Sequence, residues 1–389
     1  QYEYDNFGNL TKIIYPSGYA VEKVYDPNNG YLTEVKTLQG TIFTTNEMNA
    51  FDQYTEYTLG NSIQTQKTYD DFGLPLTSIS PIAGNVQNMQ FTWDNPTGNL
   101  NFRTDNIKLL TETFGFDNLN RLQSYGVTGL GPLAVGYAPN GNITGKTDAG
   151  AYTYSPTKPH AVESVTDPDG LMPLTQNISY TAFKRPATIT QGGYELEFTY
   201  GPSQQRKKSI LKNNSVVEKT IIYAGNYEKI TIGSDVYEVH YIVAGPGLVA
   251  INVKQNGGAN QLFYVYTDHL GSILTLTNAT TGAVVYEQNF DPWGRKRNPG
   301  TWGYPTNTNP LPAPPPWLIR GFTGHEHHDE VQLINMNARM YDPIVARVLS
   351  PDNFVQDATY TQGFNRYSYV LNNPLSYTDP DGEWINFVT

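Results

Sequence analysis

The amino-acid sequence predicts an all-β protein made of many short antiparallel strands, and three observations lead to this prediction. The 389-residue chain contains 35 Gly and 26 Pro, so turns must be frequent. It contains 29 Tyr, a residue that favours strands, and only 16% of its residues are charged, which disfavours a helical bundle. Finally, an aromatic-Asp pattern recurs about every 21 residues. Aromatic residues this abundant require a buried core and so exclude disorder.

The repeat starts with an aromatic residue, often followed by Asp, then Gly or Asn three to four positions later, then an apolar residue. Copies start at Tyr4, Tyr25, Tyr69 and Trp93, with weaker copies at Phe116, Tyr137, Tyr154, Tyr180 and Tyr200. A period of about 21 residues fits one β-hairpin of two strands and two turns. A propeller blade is excluded because it needs roughly 40 residues or more.

Each position of the repeat has a physical role. The aromatic residue ends a strand and packs on its neighbours, while Asp or Asn bonds its own backbone and opens the turn. Gly takes the positive φ that the turn demands, and the apolar residue starts the return strand. Because one hairpin cannot bury its face alone, we expect the hairpins to stack into a long antiparallel strip that curves with the twist of the sheet.

The C-terminal third has a different sequence pattern, in which a series of short motifs, or blocks, replaces the repeat. The blocks are residues 264–272 (YVYTDHLGS), 289–295 (NFDPWGR), 320–326 (RGFTGHE), 337–343 (NARMYDP), 347–352 (RVLSPD) and 365–382 (NRYSYVLNNPLSYTDPDG). Between the second and third blocks, residues 298–316 are rich in Pro, Gly, Thr and Asn. We expect this stretch to be a surface excursion with polyproline character.

These patterns resemble the RHS/YD-repeat family, which includes bacterial Rhs proteins, the C component of Tc toxins and the teneurin ectodomain. The C-terminal blocks are similar to the RHS-associated core domain. The resemblance implies a spiralling strip of hairpins that forms part of a hollow shell over residues 1–263. It implies a core domain over 264–382, with the Pro-rich loop at 298–316, and the start of a C-terminal extension at 383–389.

In that family the core is an aspartyl autoprotease that separates the shell from a variable C-terminal domain. Carried onto this sequence, the resemblance implies catalytic roles for Arg339, Asp352 and Asp379, with cleavage near Glu383. Two neighbouring carboxylates share a proton, so that one serves as base towards water and the other as acid towards the carbonyl. The simpler alternative is that both acids only shape turns.

The sequence departs from the family pattern at two places in this region. Asp352 is followed by Asn353 and Phe354, without the Pro and Gly of the family. Glu383 stands where the family has Leu, and the chain continues to Thr389 beyond the expected cut. Both departures favour an alternative in which the core is retained without cleavage.

The overall charge and composition limit the partners. With a net charge of −11 we expect no nucleic-acid partner, because phosphate binding needs basic patches. The absence of Cys removes disulfides and thiolate chemistry, and no apolar stretch reaches membrane-spanning length. The chain starts at Gln1 inside the repeat pattern, so we interpret it as a piece of a longer protein. The resemblance implies a secreted or cell-surface bacterial location.

Other candidate sites have simpler explanations, and we expect no cofactor and no metal. The densest group of metal-capable side chains is His325, Glu326, His327, His328, Asp329 and Glu330, which we interpret as a solvated turn in preference to a metal site. The Asp-Pro-Asp-Gly segments at 167–170 and 379–382 lack the further ligands of a calcium loop and are more simply turns. The many Tyr residues allow sugar binding, although cross-strand packing is the simpler explanation.

Two functional hypotheses result from these observations. The first is a shell segment that encapsulates and delivers a C-terminal effector, with a self-cleaving core; its partners are that effector, the rest of the same shell and secretion machinery. The second is an uncleaved cell-surface or wall-associated protein of the same fold that binds a cell-surface glycan. A hydrolase acting on an external substrate has no motif behind it.

Overall fold

The computed structural model describes residues 1–80, 86–172, 175–355 and 359–388, and it confirms the predicted all-β class. Strands account for 51% of the residues and helices for 3%. Two long antiparallel sheets of consecutive hairpins dominate the described part of the chain. Within each of these sheets, every described strand pairs with the next strand in sequence.

The first sheet contains sixteen strands in chain order within the described residues. They are β1 (Tyr2–Tyr4), β2 (Leu10–Ile14), β3 (Ala20–Tyr25), β4 (Leu32–Thr37), β5 (Gly40–Met48), β6 (Tyr54–Leu59), β7 (Gln64–Tyr69), β8 (Pro75–Ser80), β9 (Gln87–Asp94), β10 (Asn99–Asp105), β11 (Leu110–Phe116), β12 (Leu122–Val127), β13 (Leu133–Tyr137), β14 (Ile143–Lys146), β15 (Gly150–Tyr154) and β16 (Val162–Val165).

The second sheet continues the same meander with eleven described strands. They are β17 (Gln176–Tyr180), β18 (Pro186–Gln191), β19 (Tyr194–Tyr200), β20 (Arg206–Asn213), β21 (Val216–Tyr223), β22 (Tyr227–Ile232), β23 (Asp235–Ala244), β24 (Gly247–Gln255), β25 (Asn260–Thr267), β26 (Ile273–Asn278) and β27 (Val284–Glu287). Residue 264, where the sequence predicts the core domain to begin, lies inside β25; that boundary stays a prediction.

The remaining elements are short. They are β28 (Asn289–Phe290), β29 (Lys296–Arg297), β30 (Glu326–His328), β31 (Leu333–Asn335), β32 (Met340–Asp342), β33 (Arg347–Val348), β34 (Tyr377–Thr378) and β35 (Asn386–Phe387), with 3-10 helices at Phe322–Gly324, Asp329–Val331, Thr361–Phe364 and Val370–Asn372. Strands β30 to β33 form a small antiparallel sheet, and β34 pairs with β35.

The repeat Asp closes its own turn, as the sequence predicts. Oδ1 of Asp5 accepts hydrogen bonds from the backbone N–H groups of Phe7 and Asn9, each at 2.9 Å. Gly8 sits between them at φ +86°, a conformation that a residue with a Cβ rarely adopts. The same pair of bonds recurs at Asp70, Asp117, Asp268 and Asp291.

In five copies of the repeat, the Tyr that starts the copy ties its hairpin to the preceding one. The hydroxyl of Tyr25, the last residue of β3, donates to the carbonyl of Leu10, the first residue of β2, at 3.0 Å. Equivalent bonds join Tyr69 to Tyr54, Tyr137 to Leu122, Tyr154 to Ile143 and Tyr200 to Pro186. The ring can therefore be partly buried while its polar end keeps a partner.

The C-terminal segment packs against both large sheets. Trp293, Phe322 and Tyr341 share one buried apolar cluster with residues of the first sheet such as Leu100. A second cluster joins Leu333 and its neighbours to strands β18 to β20 of the second sheet. The hairpin sheets thus supply the walls on which the C-terminal segment folds.

Buried ion pairs connect this segment to the walls. The carboxylate of Glu112 in β11 is fully buried and binds Arg297 at 2.8 Å and Arg103 at 2.7 Å. On the other sheet, Arg206 in β20 binds the buried Glu326 at 2.6 Å. Further pairs between wall and C-terminal segment are Glu228 with Arg320, Asp148 with Arg295 and Lys219 with Glu330. Buried charges require such partners because each charge loses its hydration.

The Pro-rich loop at 298–316 is not wholly the surface excursion that the sequence predicts. Its Trp302 is only 3% exposed. The indole ring lies 5.4 Å from the guanidinium of Arg297 and 5.6 Å from that of Arg103, so it covers the Glu112 ion pairs. The expectation is wrong at this residue because the indole shields buried cations from water.

We predict that Glu112→Gln lowers the free energy of unfolding by about 3–5 kcal/mol, because two buried guanidinium groups lose their counter-charge. Urea denaturation followed by circular dichroism measures the change. The matched control is Glu22→Gln, which removes an exposed partner of Lys12. Equal shifts in the two variants would contradict a special role for the buried pairs.

Candidate autoproteolytic site

The structure brings the three predicted catalytic residues together. Arg339 reaches Oδ2 of Asp379 through Nη2 at 2.6 Å and Oδ2 of Asp352 through Nη1 at 3.2 Å. All three side chains are buried, at 7%, 1% and 5% exposure for Arg339, Asp379 and Asp352. One guanidinium therefore holds both carboxylates.

Short strands and turns position these residues. Arg339 directly precedes β32, and Asp379 directly follows β34. Asp352 lies four residues after β33, where its backbone N–H donates to the carbonyl of Arg366 at 2.9 Å. The segment around Asp379 is anchored by the N–H of Ala338, which donates to the carbonyl of Asp381 at 3.0 Å.

The two carboxylates differ in their surroundings. Burial raises the pKa of Asp379 to about 6, because desolvation outweighs the opposing charge of Arg339. Its Oδ1 has no hydrogen-bond partner in the described part of the chain. Asp379 is therefore a carboxyl group that can carry a proton near neutral pH, as a general acid must.

The chain at the predicted cleavage point also contacts Arg339. Nε of Arg339 donates to the carbonyl of Gly382 at 2.5 Å, so the guanidinium contacts two acids and one peptide group. Gly382 adopts φ +79°, and a Cβ there would lie 2.1 Å from the carbonyl oxygen of Met336. Only Gly fits this position. The sequence analysis missed this contact, although the Asp-Pro-Asp-Gly segment carried its signal.

Two further neighbours of the site were not singled out from the sequence for this role. Nε2 of His325 lies 2.9 Å from the backbone carbonyl of Asp379. Burial lowers the pKa of His325 to about 4, so the ring is neutral and donates this hydrogen bond. Tyr369 is also buried, and its burial, together with the charge of Asp379, raises the pKa of its hydroxyl.

The residues that come after Gly382 are bound back to the fold. Glu383 forms an ion pair with Arg185 at 3.5 Å, and the ring of Trp384 stacks on Phe354 with centroids 6.1 Å apart. Strand β35 then pairs with β34. Several contacts must therefore break before the chain beyond the predicted cut can leave.

The His-rich segment is not the solvated turn that the sequence analysis favours. Glu326, His327 and His328 form strand β30, and all three are buried. The expectation is wrong because Glu326 is drawn inside by Arg206, and pairing with β31 buries its neighbours. Asp329 and Glu330 pair with Lys296 and Lys219.

None of the described residues forms a group of three or more His, Asp or Glu side chains that could hold a metal ion. The Asp-Pro-Asp-Gly segments behave as turns. Asp167 accepts from the backbone N–H groups of Leu171 and Met172, and Asp381 from those of Glu383 and Trp384. Among the described residues, no helix has the length and apolar character needed to cross a membrane.

Comparison with protein families gives one match over most of the chain. The model of the Teneurin YD-shell family matches residues 85–375. Among curated proteins, the tRNA(Glu)-specific nuclease WapA of Bacillus subtilis subsp. natto is 31% identical over 128 residues, 32% of this chain and 5% of that protein. Salivary gland surface protein 1 of Aedes aegypti is 26% identical over 219 residues, 54% of this chain and 6% of that protein.

Solved structures of Tc toxin components share the fold. A TcdB2-TccC3 complex without its hypervariable C-terminal region has a TM-score of 0.80 at 19% identity, covering 98% of this chain and 21% of that chain. The Tc holotoxin pore of Photorhabdus luminescens has a TM-score of 0.77 at 18% identity, covering 100% of this chain and 22% of that chain. The chain thus spans about a fifth of these structures and about a twentieth of the curated relatives.

We predict that the buried imidazoles make the fold acid-sensitive. Burial lowers the pKa of His327 to about 3, below the 6.5 expected of an unfolded chain. The unfolded state then binds a proton first, so stability falls as the pH drops below 6.5, by about 2 kcal/mol per such group at pH 5. Urea denaturation of wild type and His327→Gln at pH 7 and pH 5 tests this, because Gln can still accept the bond from the N–H of Phe322. An equal pH slope in both proteins would contradict the prediction.

Proposed function

The chain belongs to the Teneurin YD-shell family, and from this premise we propose that it is the self-cleaving end of a shell that encapsulates and delivers a C-terminal effector. A structural role as shell wall is supported by the family and by the hairpin sheets themselves. The proposal adds the cargo, its release and an extracellular location, either secreted or on a bacterial cell surface. The partners it implies are the effector, the rest of the shell and secretion machinery.

The observation that carries the proposal is the contact of one buried guanidinium with two carboxylates and a backbone carbonyl. Arg339 joins Asp352, Asp379 and the carbonyl of Gly382. Two acids that only shaped their own turns would have no reason to contact the same guanidinium. Here they do so next to Gly382, where the family resemblance implies cleavage. The convergence favours a hydrolytic site over the interpretation that both acids only shape turns.

The chemistry that this geometry supports is hydrolysis of a peptide bond next to Glu383. The carboxylate of Asp352 takes a proton from water, and the water oxygen bonds to the carbonyl carbon. Arg339 stabilises the negative charge that develops on the carbonyl oxygen. The protonated carboxyl of Asp379 gives its proton to the leaving nitrogen, and the C–N bond breaks to leave one carboxyl and one amine.

We predict that the chain with a C-terminal extension cuts itself near Glu383. Intact-mass spectrometry of the extended wild type should show the fragment that ends near this residue and the released extension. Asp352→Asn and Asp379→Asn should keep the full-length mass, because an amide side chain can serve as neither the acid nor the base. Arg339→Lys should slow cleavage at least tenfold, since one ammonium group cannot replace the planar guanidinium that contacts both carboxylates and the carbonyl of Gly382.

The matched control is Asp381→Asn, which changes an acid in the same segment whose Oδ1 accepts backbone hydrogen bonds from Glu383 and Trp384. This variant should still cleave, and its rate should fall only as far as the loss of the Asp381 charge lowers the pKa of Asp379. If wild type and every variant keep the full-length mass, the autoprotease proposal is wrong and the uncleaved core is favoured.

We predict that the rate of cleavage rises as the pH falls towards 6. The acid form of Asp379 is scarce at pH 8 because the pKa of this group is about 6. The rate should increase about tenfold per pH unit from pH 8 and level off below pH 6. A time course of intact mass at each pH measures it. A rate that increases with pH would remove Asp379 from the acid role.

A second candidate function is an uncleaved cell-surface or wall-associated protein that binds a cell-surface glycan. The specific observation in its favour is the binding of residues 383–388 back to the fold, through Arg185, Phe354 and strand β34. A segment held in this way suits a chain that stays joined to the core. A full-length wild type that binds a glycan array would support this function, and a cleaved chain would contradict it.

A further inference from the structure

A basic cavity lies beside the candidate autoproteolytic site but outside it. It is a half-open space of about 610 Å³ between the β15–β16 turn, the β17–β18 turn and the C-terminal segment around residues 349–351 and 364–367. It borders the smaller cleft at Arg339, because Lys184, Ser350 and Pro351 line both. Three separate parts of the chain therefore build one concave surface.

The charge of this cavity is opposite to that of the protein. Lys158, Lys184 and Arg366 line it, and no Asp or Glu is among its described lining residues. The chain as a whole carries 36 acids against 25 Lys and Arg. Most of its cations are engaged in ion pairs, whereas the structure records none for these three within the described ranges. Three unpaired cations around one concavity attract an anion.

The local electrostatics agree with this geometry. His160 also lines the cavity, and its Nδ1 is 2.8 Å from Oδ1 of Asn142. Burial lowers the pKa of His160, and the charges of Arg347 and Arg366 lower it further. One nitrogen of Arg366 donates to the backbone carbonyl of Asp352 at 3.0 Å, which fixes the side chain.

The cavity also offers flat apolar surface next to the cations. Phe364 is 53% exposed and Tyr180 is 41% exposed, and both line it. The hydroxyl of Tyr180 donates to the carbonyl of Leu349 at 2.9 Å, so its ring is held in place. Exposed rings beside unpaired cations suit a ligand with one flat or ring-shaped part and one anionic part.

We propose that this cavity binds a small phosphate or sulfate ester carried on a ring, with Lys158, Lys184 and Arg366 around the anion and Phe364 against the ring. A phosphate or sulfate group presents several acceptor oxygens, which matches donors arriving from three directions better than a single carboxylate does. Two sources share this chemistry, a nucleotide and a sulfated sugar. The net charge of −11 disfavours long polyanions, since the surface around the cavity repels them.

Isothermal titration calorimetry of the full chain tests the proposal with adenosine monophosphate and with a sulfated disaccharide. The uncharged counterparts, adenosine and the unsulfated disaccharide, serve as ligand controls. We expect saturable binding of at least one charged probe, weakening with added salt. The substitution of Lys158, Lys184 and Arg366 together by Gln should weaken it about tenfold or more. The probe that binds identifies the source.

The protein control replaces Lys207, Lys229 and Lys254 by Gln, three cations that lie outside the cavity and have no recorded ion pair in the described structure. This variant removes the same charge and should bind like wild type. Phe364→Ala should weaken the ring-bearing probe and leave inorganic phosphate unaffected. Absence of saturable binding by both charged probes, or equal weakening by both triple substitutions, would overturn the proposal. Asp379→Asn should bind normally, because the inference does not depend on cleavage.

Discussion

Two side chains of the repeat, the Asp carboxylate and the Tyr hydroxyl, hold the hairpin sheets together. The Asp carboxylate accepts from the backbone two and four residues ahead, as at Asp5, and so fixes the turn. The preceding Tyr hydroxyl reaches the first residue of the neighbouring strand, as from Tyr25 to Leu10. The carboxylate closes a hairpin, and the hydroxyl ties it to the hairpin before. The Tyr bond therefore adds to the side-chain alternation and turn geometry that set the register between hairpins.

The walls in turn decide where the C-terminal segment folds. Its own strands are only two or three residues long, too short to be stable alone. Buried ion pairs such as Glu112 with Arg297 and Glu326 with Arg206 fix its position on each sheet. A buried charge is strongly destabilising without its partner. A misplaced C-terminal segment would therefore leave several buried charges unpaired at once. The geometry around Arg339 therefore depends on contacts made far from it.

The repeat predicted the fold well because its chemistry is local. An acid that accepts a hydrogen bond from the backbone four residues ahead acts independently of the rest of the chain. Copies such as Tyr69-Asp70 can therefore be recognised from a few consecutive residues. The His-rich segment was interpreted wrongly because its burial depends on Arg206, more than a hundred residues away. Trp302 is similar, since only the buried Arg297 and Arg103 explain why a loop residue turns inward. Arg339, Asp352 and Asp379 were found through family resemblance, and spacing alone could not have placed them on one guanidinium.

The departures from the family pattern at Asn353, Phe354 and Glu383 affect two things differently: the arrangement around Arg339, and the contacts that hold the residues after Gly382. One guanidinium carries a single positive charge and cannot neutralise two buried carboxylates, so one acid retains a proton more readily, and burial selects Asp379. Arg339, Asp379 and the carbonyl of Gly382 form this arrangement without Asn353 or Glu383. Glu383 instead pairs with Arg185, and Trp384 stacks on Phe354. These contacts therefore hold the residues after Gly382 to the fold. In the proposed autoprotease, the breaking of the peptide bond and the departure of the residues beyond it are consequently two separate steps.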